Sequence, residues 1–244
     1  MSADKSRGAH GLAAAAQGQV QGQGPLTLVF VHGFGCDQNM WRLLAPAFSS
    51  RYQTIVYDLM GSGDSDLSAY DRDRYATLHG HADDLLDIIA AFADSPVVLV
   101  GHSVSAMIGV LASTRRPGAI AAHAMLGPSP CYVNDGDYVG GFSRADIESL
   151  LETMEGNYLG WSSTMAPAIM GAPDRPQLGE ELTNSFCRTD PNIAAHFARV
   201  TFLSDNRADL PGWASRCWFC SAAMTSSRRF RWATSWSGCC PTRP

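Results

Sequence analysis

The hydrophobic positions of the chain follow two alternating patterns in the first half of the sequence. Continuous apolar runs at 26–33, 54–58 and 97–101 end in glycine or aspartate, which is typical of strands buried on both faces of a sheet. Between them, 41–48 and 81–92 are predicted to be helices, the second because its apolar residues recur at helical spacing. This alternation predicts an α/β fold with a parallel sheet and helices on both faces.

A fourth apolar stretch, at 119–126, is predicted to continue the sheet, and the pattern after it becomes helical. Residues 137–204 contain four predicted helices with no strand between them. One of them begins after Ser143 as N-cap, and another begins after Asp190 as N-cap with Pro191 in its first turn. We expect these helices to form a lid over the sheet, with a ligand cavity beneath it.

The domain organisation follows from these patterns. Ordered structure is expected to begin at Leu26. The predicted regions are a weakly ordered N-terminus (1–25), the core (26–136), the helical lid (137–204), a return to the core (205–213) and an aberrant tail (214–244).

Length and composition narrow the possible functions. A chain of 244 residues suits one α/β domain, and a net charge of −5 without long runs of one sign argues against nucleic acid or an anionic membrane as partner. No apolar stretch approaches the roughly 20 residues of a membrane helix, and the N-terminus lacks a signal-peptide layout, so a cytoplasmic location is expected. The seven cysteines are too unevenly spaced for a disulfide framework. We expect no cofactor.

The candidate nucleophile is Ser103, in the segment Gly101–Ser105 between a predicted strand and a predicted helix. This is the context of a nucleophile elbow, a tight turn that requires small neighbours and projects the serine hydroxyl from the sheet. The second small position is Ser105 instead of glycine. The alternative is a serine that merely caps the following helix.

The segment His32–Gly35 ends the first predicted strand and supplies a loop near the elbow. The backbone N–H groups of Phe34 and Val104 are predicted to form an oxyanion hole, in which each donor contributes roughly 3–4 kcal/mol toward the barrier. His32 is interpreted as a structural residue that orders the loop, because a triad base lies C-terminal to the serine in this fold. Asp58 and the glycines after it are interpreted as a turn.

Several motifs resemble the α/β-hydrolases that include RsbQ and the plant strigolactone and karrikin receptors. The similar segments are 32–41, 57–66, 101–117, 127–142, 157–161 and 202–210, so the resemblance covers roughly residues 25–212. It implies a Ser-Asp-His triad under a V-shaped lid of four helices, and a small hydrophobic ester or lactone as substrate or ligand. In the bacterial case it implies signalling through a protein partner that regulates a stress sigma factor.

The resemblance also implies roles for individual residues. Ser103 matches the nucleophile, and Phe34 and Val104 match the oxyanion donors. The positions expected to contact substrate are Phe34, His102, Phe142 and Trp161. Phe142 and Trp161 could equally belong to the core of the lid. His102 is part of the elbow and is not the triad base.

The triad acid and base are predicted to be absent from this chain. After Ser103 the histidines are His123, inside a predicted strand, and His196, on a predicted lid helix, and neither lies on a loop after a late strand. Asp135 or Asp137 could be an acid at an alternative position. A serine without a base is a weak nucleophile, so the activity of this chain is left open.

The tail at 214–244 contains no Asp, Glu or His but has four Cys, three Trp and five Arg. A disordered basic tail is one interpretation, and a metal site at Cys217, Cys220 and Cys239–Cys240 is another, although an adjacent pair is poor ligand spacing. We favour a reading-frame shift near 211–215. Read one base out of frame, Cys-Trp-Phe-Cys must encode Leu-Val-Leu, and Met-Thr must encode Asp, the pattern of a buried strand followed by a triad acid. The chain is then expected to lack its last two strands, its final helix and both triad partners.

Overall fold

The computed structural model describes residues 18–211, 213 and 216–220, and one mostly parallel sheet runs through this part of the chain. Its strands are β1 (Gln19–Gln21), β2 (Thr27–Val31), β3 (Gln53–Tyr57), β4 (Val97–His102), β5 (Ile120–Leu126) and β6 (Arg216–Cys220). Their order across the sheet is β1-β3-β2-β4-β5-β6. β1 pairs antiparallel with β3, and the other pairs are parallel. The predicted α/β class is confirmed.

Helices connect the strands and cover the sheet. The α-helices are α1 (Pro46–Ser49), α2 (Leu78–Phe92), α3 (Val104–Arg115), α4 (Arg144–Gly156), α5 (Tyr158–Met170), α6 (Pro176–Arg188) and α7 (Pro191–Leu203), with 3-10 turns at Gln38–Trp41, Leu67–Ala69 and Arg207–Asp209. Helices α4 to α7 follow one another between β5 and β6, as four helices did in the predicted lid. None of the described helices combines the length and the hydropathy that a membrane span needs.

The main core lies between the sheet and helices α2 and α3. Val29 of β2 and Leu99 of β4 pack there with Leu85 of α2 and Ile108 of α3, and each is at most 1% exposed. A second cluster lies within the lid, around Leu151, and it includes Phe34 from the loop after β2. The lid core therefore reaches down to the carboxyl end of the sheet, where β2 and β4 end.

The start of the ordered chain differs from the expectation. Ordered structure was expected from Leu26, but β1 already pairs with β3 at Gln19–Gln21. All three residues of β1 are exposed, so backbone hydrogen bonds hold this edge strand and no hydrophobic pattern announces it. Residues 1–17, the rest of the predicted weakly ordered N-terminus, lie outside the described part.

The structure places a strand in the tail at 214–244, where the last two strands of the sheet were expected to be missing. Residues Arg216–Cys220 form β6, parallel to β5, with Cys217 opposite His123. Strand pairing uses the backbone, so it forms although Trp218 is 60% exposed and Arg216 is exposed. The predicted absence of a further strand and of the final helix concerns the rest of the tail, which lies outside the described residues.

Candidate active site

Ser103 lies at a tight turn between β4 and α3. Its backbone has φ 55° and ψ −121°, and among the described residues it is the non-glycine residue with positive φ. Such a conformation costs roughly 1–3 kcal/mol and persists where the surroundings enforce it. Here the Ser103 N–H donates to the carbonyl of Leu126 at 2.8 Å, which ties the turn to the end of β5. The strand-turn-helix context predicted for the elbow is present.

The turn fits because its neighbours are small. A Cβ at Gly33 would lie 2.5 Å from His102 Nδ1 and 3.2 Å from Ser103 Cβ, so glycine is required for β2 to approach the elbow this closely. Ser105, which replaces the usual glycine, is fully buried and its hydroxyl donates to the backbone carbonyl of His32. The substitution therefore adds a hydrogen bond between the elbow and the loop after β2.

His32 orders this loop, as the sequence suggested. Leu59 N–H donates to His32 Nε2 at 2.9 Å, so the neutral ring carries its proton on Nδ1, which donates to the Gly33 carbonyl at 2.9 Å. Burial lowers the pKa of His32, although the hydrogen bond to Gly33 opposes that shift. Both ring nitrogens are engaged with backbone, which is a structural arrangement.

The side chain hydrogen-bonded to Ser103 in the described residues is Tyr132, which the sequence analysis did not select. The Tyr132 hydroxyl lies 3.2 Å from Ser103 Oγ. Burial raises the pKa of Tyr132, so the phenol keeps its proton at neutral pH and can donate to an oxygen near Ser103. The available signal was its position: Tyr132 follows β5, and ligands of open α/β sheets bind beyond the carboxyl ends of neighbouring strands.

Aromatic rings from the lid converge on Phe34 beside the elbow. The ring centroids closest to that of Phe34 belong to Phe202 (5.5 Å), Phe197 (5.8 Å), Phe186 (6.0 Å) and Trp161 (6.5 Å). Tyr132 joins them through Phe202 at 5.3 Å. We call these six residues the aromatic cluster. It connects the loop after β2, the loop after β5 and three lid helices.

Of the four residues predicted to contact substrate, two lie in the aromatic cluster and two lie outside it. Phe34 and Trp161 meet in the aromatic cluster, and Trp161 is buried with an indole N–H that has no hydrogen-bond partner among the described residues. His102 ends β4 next to Ser103, and burial lowers its pKa to about 4. Phe142 is 41% exposed and its ring is not among those that pack in the cluster. Phe186, Phe197 and Phe202 were not predicted to lie here, because an apolar position on a lid helix does not reveal which ring of another element it contacts.

The histidines after Ser103 do not reach it. His123 is buried on β5, where its Nε2 lies 2.9 Å from Ser113 Oγ, and His196 on α7 bonds through Nδ1 to the Tyr70 hydroxyl at 2.7 Å. Asp135, one possible alternative acid, forms an ion pair with Arg207, and Asp137 is exposed. In the described part of the chain no three His, Cys, Asp or Glu side chains gather as metal ligands, and Cys239–Cys240 fall outside it.

Comparisons with known proteins identify the family of this chain. Residues 28–239 match the model of the alpha/beta hydrolase family. Karrikin insensitive 2 receptor CA of Petunia hybrida is 38% identical over 199 residues (82% of this chain, 74% of the relative), and strigolactone esterase D14 of Arabidopsis thaliana is 39% identical over 201 residues (82% and 75%). The solved structure of a hydrolase from Oleispira antarctica has a TM-score of 0.84 at 41% identity, covering 88% of this chain and 79% of that one. The chain therefore belongs to the α/β-hydrolase family.

Proposed function

We propose that this protein binds a small hydrophobic ester or lactone under its lid, with the carbonyl carbon of the ligand at Ser103. The observation that carries the proposal is the strained turn at Ser103, whose hydroxyl is hydrogen-bonded to Tyr132 of the aromatic cluster. Aromatic rings favour an apolar ligand, and the phenol supplies a donor for its carbonyl or ester oxygen.

The reaction that suits this site is acyl transfer. The Ser103 hydroxyl oxygen bonds to the ester carbon, the alcohol leaves with a proton, and water then releases the acid and regenerates the hydroxyl. The N–H groups of Phe34 and Val104 are proposed as the donors to the oxyanion, since Val104 is the first residue of α3. No described histidine or carboxylate side chain is hydrogen-bonded to Ser103, so we expect slow turnover by this chain.

Hydrolysis of p-nitrophenyl acetate tests the proposal. Ser103→Ala is expected to remove esterase activity above the uncatalysed rate, because the acyl acceptor is lost. The matched control is Ser163→Ala, a serine on the exposed side of α5, which is expected to leave the rate unchanged. Equal rates for Ser103→Ala and the unmodified protein would overturn the role of Ser103.

A second candidate is a ligand sensor that signals through a protein partner, in line with the RsbQ and receptor-like motifs of the sequence. It is favoured by the contacts of Phe34, which meets Trp161 of α5, Phe186 of α6 and both aromatic residues of α7. A ligand at Phe34 would therefore touch three lid helices at once. Saturable quenching of Trp161 fluorescence by phenyl acetate without its hydrolysis would favour the sensor, and Trp161→Phe identifies the signal.

A further inference from the structure

Tyr132, which is hydrogen-bonded to Ser103, lies on the loop after β5, and Arg207 forms an ion pair with that loop. Arg207, in the return segment after α7, donates from Nη2 to Asp135 Oδ2 at 2.7 Å and to Asp205 Oδ2 at 2.6 Å. Its Nε donates to Asp205 Oδ1 at 2.9 Å, so the contact with Asp205 is bidentate. One guanidinium thus joins the loop after β5, through Asp135, to the segment after the lid.

The same guanidinium lies over the ring of Tyr138, with its carbon 4.7 Å from the ring centroid. The Tyr138 hydroxyl donates to the carbonyl of Cys131 at 3.0 Å, and that carbonyl belongs to the peptide bond leading into Tyr132. A backbone hydrogen bond from Asn206 to Pro130 at 2.8 Å runs alongside. A continuous series of contacts therefore links Arg207 to Tyr132, whose hydroxyl is hydrogen-bonded to Ser103.

We infer that Arg207 is a positioning residue, which holds the loop after β5 so that the Tyr132 hydroxyl stays within hydrogen-bond distance of Ser103. The functional consequence rests on the proposed function, because it requires that the oxygen of Ser103 meets a ligand. We call Arg207, Asp205, Asp135 and Tyr138 the arginine clamp.

The chemistry of the clamp requires arginine. A planar guanidinium can accept a ring against its face while its edge donates to two carboxylates, and a lysine ammonium cannot do both in one orientation. The carboxylates of Asp135 and Asp205 are largely exposed, at 65% and 45%, so these ion pairs add little to the free energy of unfolding. Their effect is geometric: they restrict where the loop lies.

The test places 3-fluorotyrosine at position 132 and measures its ¹⁹F resonance, which reports the surroundings of the phenol directly. In the unmodified background, Ser103→Ala is expected to shift the resonance, because the hydroxyl 3.2 Å away is removed. In the Arg207→Gln background, Ser103→Ala is expected to give less than half of that shift. Tyr138→Phe is the milder second variant, since it deletes the bond to Cys131 and keeps the ring under Arg207.

The matched control is Arg175→Gln, which removes an exposed arginine that also lies beside an aspartate, 4.0 Å from Asp174. It is expected to leave the Ser103-dependent shift intact. An undiminished shift in both Arg207→Gln and Tyr138→Phe would overturn the inference.

A kinetic double-mutant cycle adds a second readout. Arg207→Gln is expected to lower kcat/KM for p-nitrophenyl acetate between about tenfold and a hundredfold, because small displacements at a reacting centre have large effects on rate. In the Tyr132→Phe background the same substitution is expected to have almost no further effect, whereas a purely structural role would give equal losses in both backgrounds. The ¹⁹F experiment needs no ligand, so failure of the clamp and failure of the proposed function remain distinguishable.

Discussion

Strands β4 and β6 lie on opposite sides of β5, and they are built in different ways. Val97 and Leu99 of β4 are at most 1% exposed, and the strand leads directly into the turn at Ser103. In β6, Arg216 is exposed and Trp218 is 60% exposed, and the strand is reached only after the four lid helices. Both nevertheless pair in parallel with β5.

The difference shows that pairing and burial are separate requirements. Backbone hydrogen bonds to the edge of β5 are open to almost any sequence, whereas a buried strand also needs apolar side chains on the faces that are covered. β4 meets both requirements, whereas in β6 the side chains of Arg216 and Trp218 are exposed and Cys217 is half-buried. The reading-frame shift in the tail stays a prediction.

The largest expected effect comes from restoring the reading frame ahead of β6. The shifted frame encodes Leu-Val-Leu in place of Cys217–Cys220 and Asp across Met224–Thr225, and it is expected to supply a histidine further on. Because a complete triad activates the serine, esterase activity is expected to rise by about 10³-fold or more. Hydrolysis of p-nitrophenyl acetate measures this, with Ser103→Ala in the restored protein as control. Resequencing of codons 205–220 that reproduces the present frame would contradict the hypothesis.

Shortening one side chain in β4 and one in β6 tests whether the two strands differ in burial. Leu99→Ala is expected to lower the free energy of unfolding by about 2–5 kcal/mol, because it shortens a side chain that is only 1% exposed and leaves a cavity in the core. Trp218→Ala is expected to change it by less than about 0.5 kcal/mol, as for other exposed positions. Urea unfolding followed by circular dichroism measures both. A loss at Trp218 as large as that at Leu99 would mean that β6 is buried in solution.

The close approach of β2 to the end of β4 is tested by Gly33→Ala. The added Cβ would lie 2.5 Å from His102 Nδ1, so the free energy of unfolding is expected to fall by about 1–3 kcal/mol. Gly156→Ala is the control, because a Cβ there meets nothing within 4 Å, and it is expected to stabilise by about 0.4–1 kcal/mol. If both variants melt alike, the contact at the elbow is looser than the structure indicates.

The smallest expected effect is the pH dependence of the free energy of unfolding that arises from His123, which lies on β5 between β4 and β6. Burial lowers its pKa to about 3, from an unfolded value of 6.5. The unfolded chain therefore binds the proton first as pH falls, so the stabilisation is complete above pH 6.5 and is lost toward pH 3. Between pH 7.5 and 5.5 this group is expected to remove about 1 kcal/mol from the free energy of unfolding.

The variant His123→Phe tests this pH dependence. It is expected to flatten the dependence by that amount, as measured by urea unfolding at the two pH values. His79→Gln, at an exposed position on α2, is the control and is expected to keep the slope of the unmodified protein. An unchanged slope in His123→Phe would show that His123 is not the group responsible.

The sequence by itself determined the α/β class, the strands β2 to β5, the helices of the lid and the turn at Ser103. These features depend on local patterns: continuous apolar runs, helical periodicity and small residues around a serine. The distinct composition after residue 213 was also visible without coordinates.

Only the tertiary structure decided what surrounds Ser103. Tyr132, Phe186 and Phe202 come from distant parts of the chain. The position of Tyr132 after β5 indicates only that it lies near the carboxyl edge of the sheet, and the local sequence around Phe186 and Phe202 does not indicate that they meet Phe34. Strands β1 and β6 were likewise not predicted, because pairing through the backbone does not require the alternating or continuous apolar pattern of a buried strand. Local periodicity reports which faces are buried, whereas contacts between distant residues are settled by how the elements pack.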